Sequence, residues 1–257
     1  TVIATALTLF LFFLFYRRAA IWQAFDVSKS WVIDRVLLAR YFRYGFPSGL
    51  EAFMNVVTFN VFLLMFQTYG LNEGAAMAIV FNWDLLSFIS MVGLHIAVMS
   101  LSGRYVGAGE LDNLNKVIVS AFGIALSVTL VVALIFWSQA QFLVDIFDTG
   151  EPDFAEIRAL AIAMMLGLAC YVMADGLNLA ASGVLRGAGD TRWLMFVSVG
   201  IHWAMLGIQI AVIKIYKLSP MVSWWVFVTM LVCLAVAYIA RLKFGPWRDP
   251  RRLARIV

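Results

Sequence analysis

The chain has 257 residues, of which 63% are hydrophobic and only 13% charged, and its mean hydropathy is +0.92. A soluble domain carries about 45–50% apolar and about 25% charged residues, so this composition excludes an ordinary water-soluble fold and reads as an all-α polytopic membrane protein. The formal net charge of +4 is modest, and its placement along the chain says more than its size.

About 20 apolar residues are needed to cross a hydrocarbon core. Residues 1–18 open apolar and close on Arg17-Arg18. A signal peptide would put its positive charges first, so this segment reads as the end of a preceding transmembrane helix in a longer protein. Residues 19–43 read as a linker, with Trp22, Phe25, Trp31 and Val32 giving it an amphipathic face suited to the membrane surface. Six spans follow, over about 44–69, 75–100, 117–137, 157–185, 193–213 and 221–241, which form one six-helix block over 44–242. Residues 243–257 are a basic tail. The two cysteines, Cys170 and Cys233, fall inside apolar runs and read as small core residues.

Loop charge orients the block. Arg17, Arg18, Lys29, Arg35, Arg40 and Arg43 fall on one side, joined by Arg104 and Lys116, by Arg186 and Arg192, and by the tail. The other side has Arg158, Lys214 and Lys217 and an acidic loop with Asp145, Asp148, Glu151, Asp153 and Glu156. The positive-inside rule makes the first side cytoplasmic, with the linker and the C-terminus on it.

Carboxylates within spans are costly and mark functional sites by default. In the fifth span Tyr171, Asp175, Asn178 and Ser182 recur at i, i+4, i+7 and i+11, one face of a helix. In the second span Glu51, Asn55 and Thr58 do the same, just after Gly45-Phe46-Pro47-Ser48-Gly49, where proline removes a backbone donor and permits a kink. Asp84 and His95 in the third span, and His202 and Gln209 in the sixth, are weaker cavity-lining candidates. Carboxylate, amide, phenol and hydroxyl oxygens suit Na+ rather than a transition metal, and a carboxylate away from water can also exchange a proton. No metal-ligand spacing, nucleophile-and-base set or nucleic-acid-binding stripe occurs, so the chain does not read as an enzyme or a nucleic-acid binder. Two cytoplasmic turns share a pattern, Arg104-Tyr105-Val106-Gly107-Ala108-Gly109-Glu110 and Arg186-Gly187-Ala188-Gly189-Asp190-Thr191. Glycine ends helices readily, and without a preceding strand or a Lys-Ser/Thr pair neither turn is a phosphate loop.

The run Ala180-Ala181-Ser182-Gly183-Val184-Leu185-Arg186-Gly187-Ala188-Gly189-Asp190-Thr191, preceded by Asp175, resembles the helix-to-loop segment in the C-terminal half of multidrug and toxic compound extrusion (MATE) transporters. Gly45 to Glu51 is similar to that family's seventh helix, and Gly103 to Gly109 to the turn after its eighth, although Ser90 stands where many members have proline. The resemblance implies a six-helix (3+3) C-terminal lobe preceded by helix six and the inter-lobe linker. It further implies a drug/Na+ or drug/H+ antiporter of the bacterial inner membrane. Its partners would be the bilayer, small organic cations or amphipathic drugs, and an N-terminal six-helix lobe of the same protein. Glu51, Asp175 and Tyr171 would then hold the coupling Na+ or H+, with Asn55 and Asn178 beside them, and the two acids would share one site. The alternatives are a flippase of lipid-linked saccharides, which would favour a strongly basic cavity, and a non-transporting membrane subunit.

Overall fold

The structure, a computed structural model, describes residues 2–17, 33–148, 150 and 152–248. The amphipathic face expected at Trp22, Phe25, Trp31 and Val32, and the tail beyond 248, lie outside the described residues. The chain divides into two compact units, 1–43 and 44–257. In the first, helix α1 (Val2–Tyr16) is apolar all round and has no buried residue.

Helix α2 (Arg35–Phe66) begins nine residues earlier than the hydropathy pattern placed the second span. The cause is local. The Asp34 carboxylate accepts from the backbone N–H groups of Val36 (2.8 Å) and Leu37 (3.2 Å), satisfying donors that a helix start leaves free. The end of the expected linker is therefore already helix. Pro47 sits inside α2, one turn before Glu51.

The second unit continues with α3 (Leu71–Ala108), α4 (Leu111–Ser138), the short α5 (Ala140–Asp145), α6 (Phe154–Gly187), α7 (Thr191–Ile210, drawn on by a π turn to Ile215) and α8 (Pro220–Phe244). Six of these, α2, α3, α4, α6, α7 with its π turn, and α8, are long and apolar enough to span a membrane, so the fold is an all-α six-helix bundle. Helix α5, which the hydropathy pattern does not announce, lies on the acidic loop. Its Asp145 pairs with Arg158 through two bonds of 2.5 and 3.0 Å, and the guanidinium holds this carboxyl below its ordinary range.

The repeated glycine pattern has a structural meaning. Gly109 (φ 73°) and Gly189 (φ 74°) are left-handed. In both turns the next residue's N–H reaches back into the last helical turn, Glu110 to the Tyr105 carbonyl and Asp190 to the Leu185 carbonyl, each at 2.9 Å. These are Schellman-type endings, which a residue with a Cβ adopts only under strain. Arg241 then pins the second turn to α8 by bonding Asp190 at 2.8 and 3.2 Å while lying over the Trp193 ring.

Helix α6 is the centre of the bundle and packs on α3, α4 and α8. Its glycines set the distances. A Cβ on Gly187 would lie 2.5 Å from the Met99 carbonyl oxygen and 2.8 Å from the Gly103 nitrogen, and one on Gly183 would lie 3.0 Å from the His95 carbonyl oxygen. This small-xxx-small seam lets the α3 and α6 backbones touch, which substitutes for the hydrophobic drive that helices lack in lipid. Gly167 leaves room for Trp224, whose indole N–H donates to the Met164 carbonyl at 3.1 Å. Two apolar packs result. One surrounds Phe62, Phe66, Trp224 and Phe227, and the other surrounds Val98, Leu185, Leu194 and Tyr238.

Gly187→Val should therefore lower the thermal unfolding temperature in detergent clearly, by the equivalent of about 1–3 kcal/mol or more, since backbone and not a flexible side chain must yield. Gly123→Ala, where an added Cβ meets nothing within 4 Å, should be neutral, and equal losses in both would show that the seam is not close-packed.

Candidate functional site

A cavity of about 550 Å³ opens between the two apolar packs and is walled by α2, α3, α6, α7 and α8. Its polar wall is one face of α6, where Tyr171, Asp175, Asn178, Ser182 and Arg186 follow one another over about 22 Å of helix. Facing them are Glu51 and Asn55 from α2, Asp84 from α3, Ser198 and His202 from α7, and Tyr238 from α8. Phe59, Phe81 and Phe227 close the end nearest Tyr171, where Phe227 packs edge-on against the Tyr171 ring and flat against Phe62.

The charges fall into two groups. Toward the turn end of α6, the Arg186 Nη2 donates to Glu51 Oε1 at 2.9 Å, with the two side chains 19% and 3% exposed. Ser198 and Tyr238 stand beside this pair, and the Asn55 amide donates to the Ser198 hydroxyl at 2.8 Å. Among the described residues, Glu51 Oε2 and Arg186 Nε have no hydrogen-bond partner. Deeper in the bundle, Asp84 and Asp175 border the same cavity from α3 and α6, and the Tyr171 hydroxyl beside them has no hydrogen-bond partner among the described residues. Asn178 spends its amide N–H on the Leu231 carbonyl (3.2 Å), which leaves its oxygen unpartnered.

Of the candidates read from the sequence, Glu51, Asn55, Asp84, Tyr171, Asp175, Asn178, Ser182 and His202 border this one cavity. Glu51 and Asp175 thus face a common space, but Glu51 is bonded to Arg186, and Asp84 shares the space with Asp175. Thr58, His95 and Gln209 do not border it. The Thr58 hydroxyl donates to the Met54 carbonyl one turn back. His95 Nδ1 donates to the Leu179 carbonyl at 2.8 Å, tying α3 to α6. Gln209 and Ser223 exchange two bonds of 2.8 and 2.7 Å, tying α7 to α8. These three satisfy their polar groups within the protein, as residues buried among membrane helices must.

Sequence reading assigned Arg186 to the basic turn that orients the chain and missed it as a cavity residue. The signal was present, because Arg186 lies four residues after Ser182 and continues the same stripe. Ser198 and Tyr238 carried no comparable signal, since a single hydroxyl in an apolar helix has many uses.

Among known proteins, the MatE family model matches residues 47–213, which contain every polar residue of this cavity except Tyr238. A probable multidrug resistance protein NorM of Pseudomonas syringae pv. tomato is 26% identical over 242 residues, covering 93% of this chain and 52% of the relative. The chain thus spans about half the length of the curated relative it matches. Among solved structures, a crystal structure of MATE in complex with MaL6 superposes with a TM-score of 0.73 at 17% identity, over 88% of this chain and 49% of that one. A MOP superfamily transporter from Pyrococcus furiosus, described as having a binding pocket of reverse polarity, superposes with a TM-score of 0.70 at 15% identity, over 84% and 49%. At such identities these two structures establish the fold alone.

The buried pair sets an expectation for stability. Arg186→Gln leaves the Glu51 carboxylate buried and unpaired, so thermal unfolding should show a loss on the order of 3–5 kcal/mol. The double variant Arg186→Gln/Glu51→Gln should recover most of it. A single variant as stable as the wild type would mean that the pair carries no charge.

Proposed function

The chain belongs to the MatE family, and from that premise we propose that it is one lobe of a secondary active multidrug exporter, a transporter and not an enzyme. It exchanges Na+ or H+ for cationic or amphipathic drugs. The observation that carries this reading is the charge of the cavity, where three carboxylates (Glu51, Asp84 and Asp175) face one guanidinium (Arg186) within aromatic walls. An excess of negative charge beside ring faces favours an organic cation, which gains from both.

Asp175 is the centre of the coupling site. It and Asp84 repel one another across an apolar space, and a Na+ ion or a proton between them relieves that repulsion. The Tyr171 hydroxyl and the Asn178 oxygen are neutral ligands within the same wall. By family resemblance alone, Glu51 would join Asp175 and Tyr171 around one Na+. In the present reading Asp84 takes that place, and Glu51, held by Arg186, forms the wall toward the turn. A drug cation arriving at the acids competes with the ion already there, and that competition couples the two flows. The second wall of the site belongs to an N-terminal lobe, against which this one rocks to open the cavity to either face in turn. The basic loops then face the cytoplasm of a bacterial inner membrane, and the C-terminus lies on that side.

Arg186 is the one feature that favours the alternative, a flippase of lipid-linked saccharides, since it places a guanidinium in the cavity. Glu51 neutralises it, so the cavity as a whole does not attract a pyrophosphate.

Asp175→Asn and Asp84→Asn keep shape and remove charge. Each should weaken ethidium binding to the purified chain by about tenfold or more, equivalent to about 1.4 kcal/mol, and remove its competition by Na+ or acid. Asp175→Asn should also abolish ethidium efflux from cells producing both lobes, with membrane insertion intact. Unchanged binding in both variants would take the acid pair out of the site. In proteoliposomes the chain by itself should give no drug-dependent ion flux, and a measurable flux would overturn the two-lobe reading.

A further inference from the structure

A second, smaller space of about 300 Å³ lies between α3 and α4 and shares no residue with the central cavity. Its walls are one face of each helix, from Leu94 to Tyr105 on α3 and from Ile124 back to Asn113 on α4. Twelve residues on each helix make a groove about 16 Å long, half of a hydrocarbon core of about 30 Å. The groove exists because Ala97, Ser120 and Ala121, which line it, are too small to fill the gap between helices joined by the tight turn at Gly109. Ala97 and Ser120 are exposed, so the groove opens outward from the bundle toward lipid.

Its two ends differ. The deep end, at Leu94 and Ile124, is apolar. The end at the turn carries Tyr105, Asn113 and Lys116. The Lys116 Nζ lies 3.2 Å from the Asn113 amide oxygen, and among the described residues no carboxylate is within ion-pair distance of it. The nearby Glu110 is held instead by the Asn113 amide N–H at 2.6 Å. A cation with no counter-ion among the described residues, with an apolar slot running from it toward the bilayer midplane, has the shape and charge of a lipid complement. Arg104 and Arg192 lie on the same basic face.

We propose that this groove holds an anionic phospholipid of the leaflet on the basic face, its phosphate on Lys116 and one acyl chain along Ala97 and Ser120. Bulk lipid is as apolar as the slot, so the chain alone gains little there. Selection comes from the head group, where a basic residue at the surface favours an anionic lipid by about fivefold. This is independent of what the central cavity transports.

Native mass spectrometry of the purified chain in nonionic detergent tests it, with phosphatidylglycerol and phosphatidylcholine of identical acyl chains added in equal amount. The wild type should retain phosphatidylglycerol about fivefold over phosphatidylcholine. Lys116→Gln, at an exposed position, should bring the two to parity. Ala97→Leu fills the floor of the slot and should reduce retention of both, with Ser120→Leu reading the same quantity from the opposite helix should the first variant fold poorly. Equal retention of the two lipids by the wild type, a preference that survives Lys116→Gln, or full retention in a folded slot-filling variant would each overturn the assignment.

Discussion

In a bilayer there is no water to take up the polar groups of a helix, so a helix that carries a charged face must be enclosed by protein on that face. Helix α6 carries such a face along its second half, from Tyr171 to Arg186, and the rest of the bundle is arranged around it. Gly183 and Gly187 bring α3 into backbone contact with it, and Gly176 makes room for Thr129 of α4. Gly167 does the same for Trp224 of α8. Close packing on the glycine side holds the polar side at a fixed distance from α2 and α7, and the cavity is the space that this leaves.

Within the cavity the charges are not equivalent. Glu51 and Arg186 neutralise each other at one end, with Ser198, Asn55 and Tyr238 around them. A buried pair of this kind contributes little net stability against an apolar substitute, but each member is costly without the other, so its main effect is to tie α2 to the end of α6. Among the described residues, Asp84 and Asp175 have no such counter-ion. The difference between a neutralised and an unneutralised group gives the space a direction, from a closed polar latch near the turn to an acid pair against an aromatic floor.

Polar residues that look alike in sequence divide here by what their side chains can reach. His95, Gln209 and Thr58 spend their hydrogen bonds on neighbouring or preceding backbone, Gln209 also on the Ser223 hydroxyl, and act as interhelical or local ties. Asn178 does this with one end only and turns the other to the cavity. Glycine shows the same division. Gly109 and Gly189 serve the backbone conformation of two turns, whereas Gly183 and Gly187 serve helix contact.

Composition and hydropathy alone determine a block of six membrane-spanning helices over 44–242, because the lipid core requires long apolar runs with internally satisfied backbones. The helical period likewise makes the α6 stripe legible, since residues four and seven apart must share a face. The start of α2 was not legible from hydropathy, because a cap at Asp34 rather than an apolar run sets it. Nor was the partnership of the acids. Periodicity orders residues around one helix but contains no information on which helix lies opposite, so Glu51 could be placed on a polar face but not beside Arg186. Asp84 could be seen as an acid but not as the neighbour of Asp175. Only the packing of α6 against α2 and α3 decided those pairings, through contacts between residues up to 135 positions apart in the case of Glu51 and Arg186.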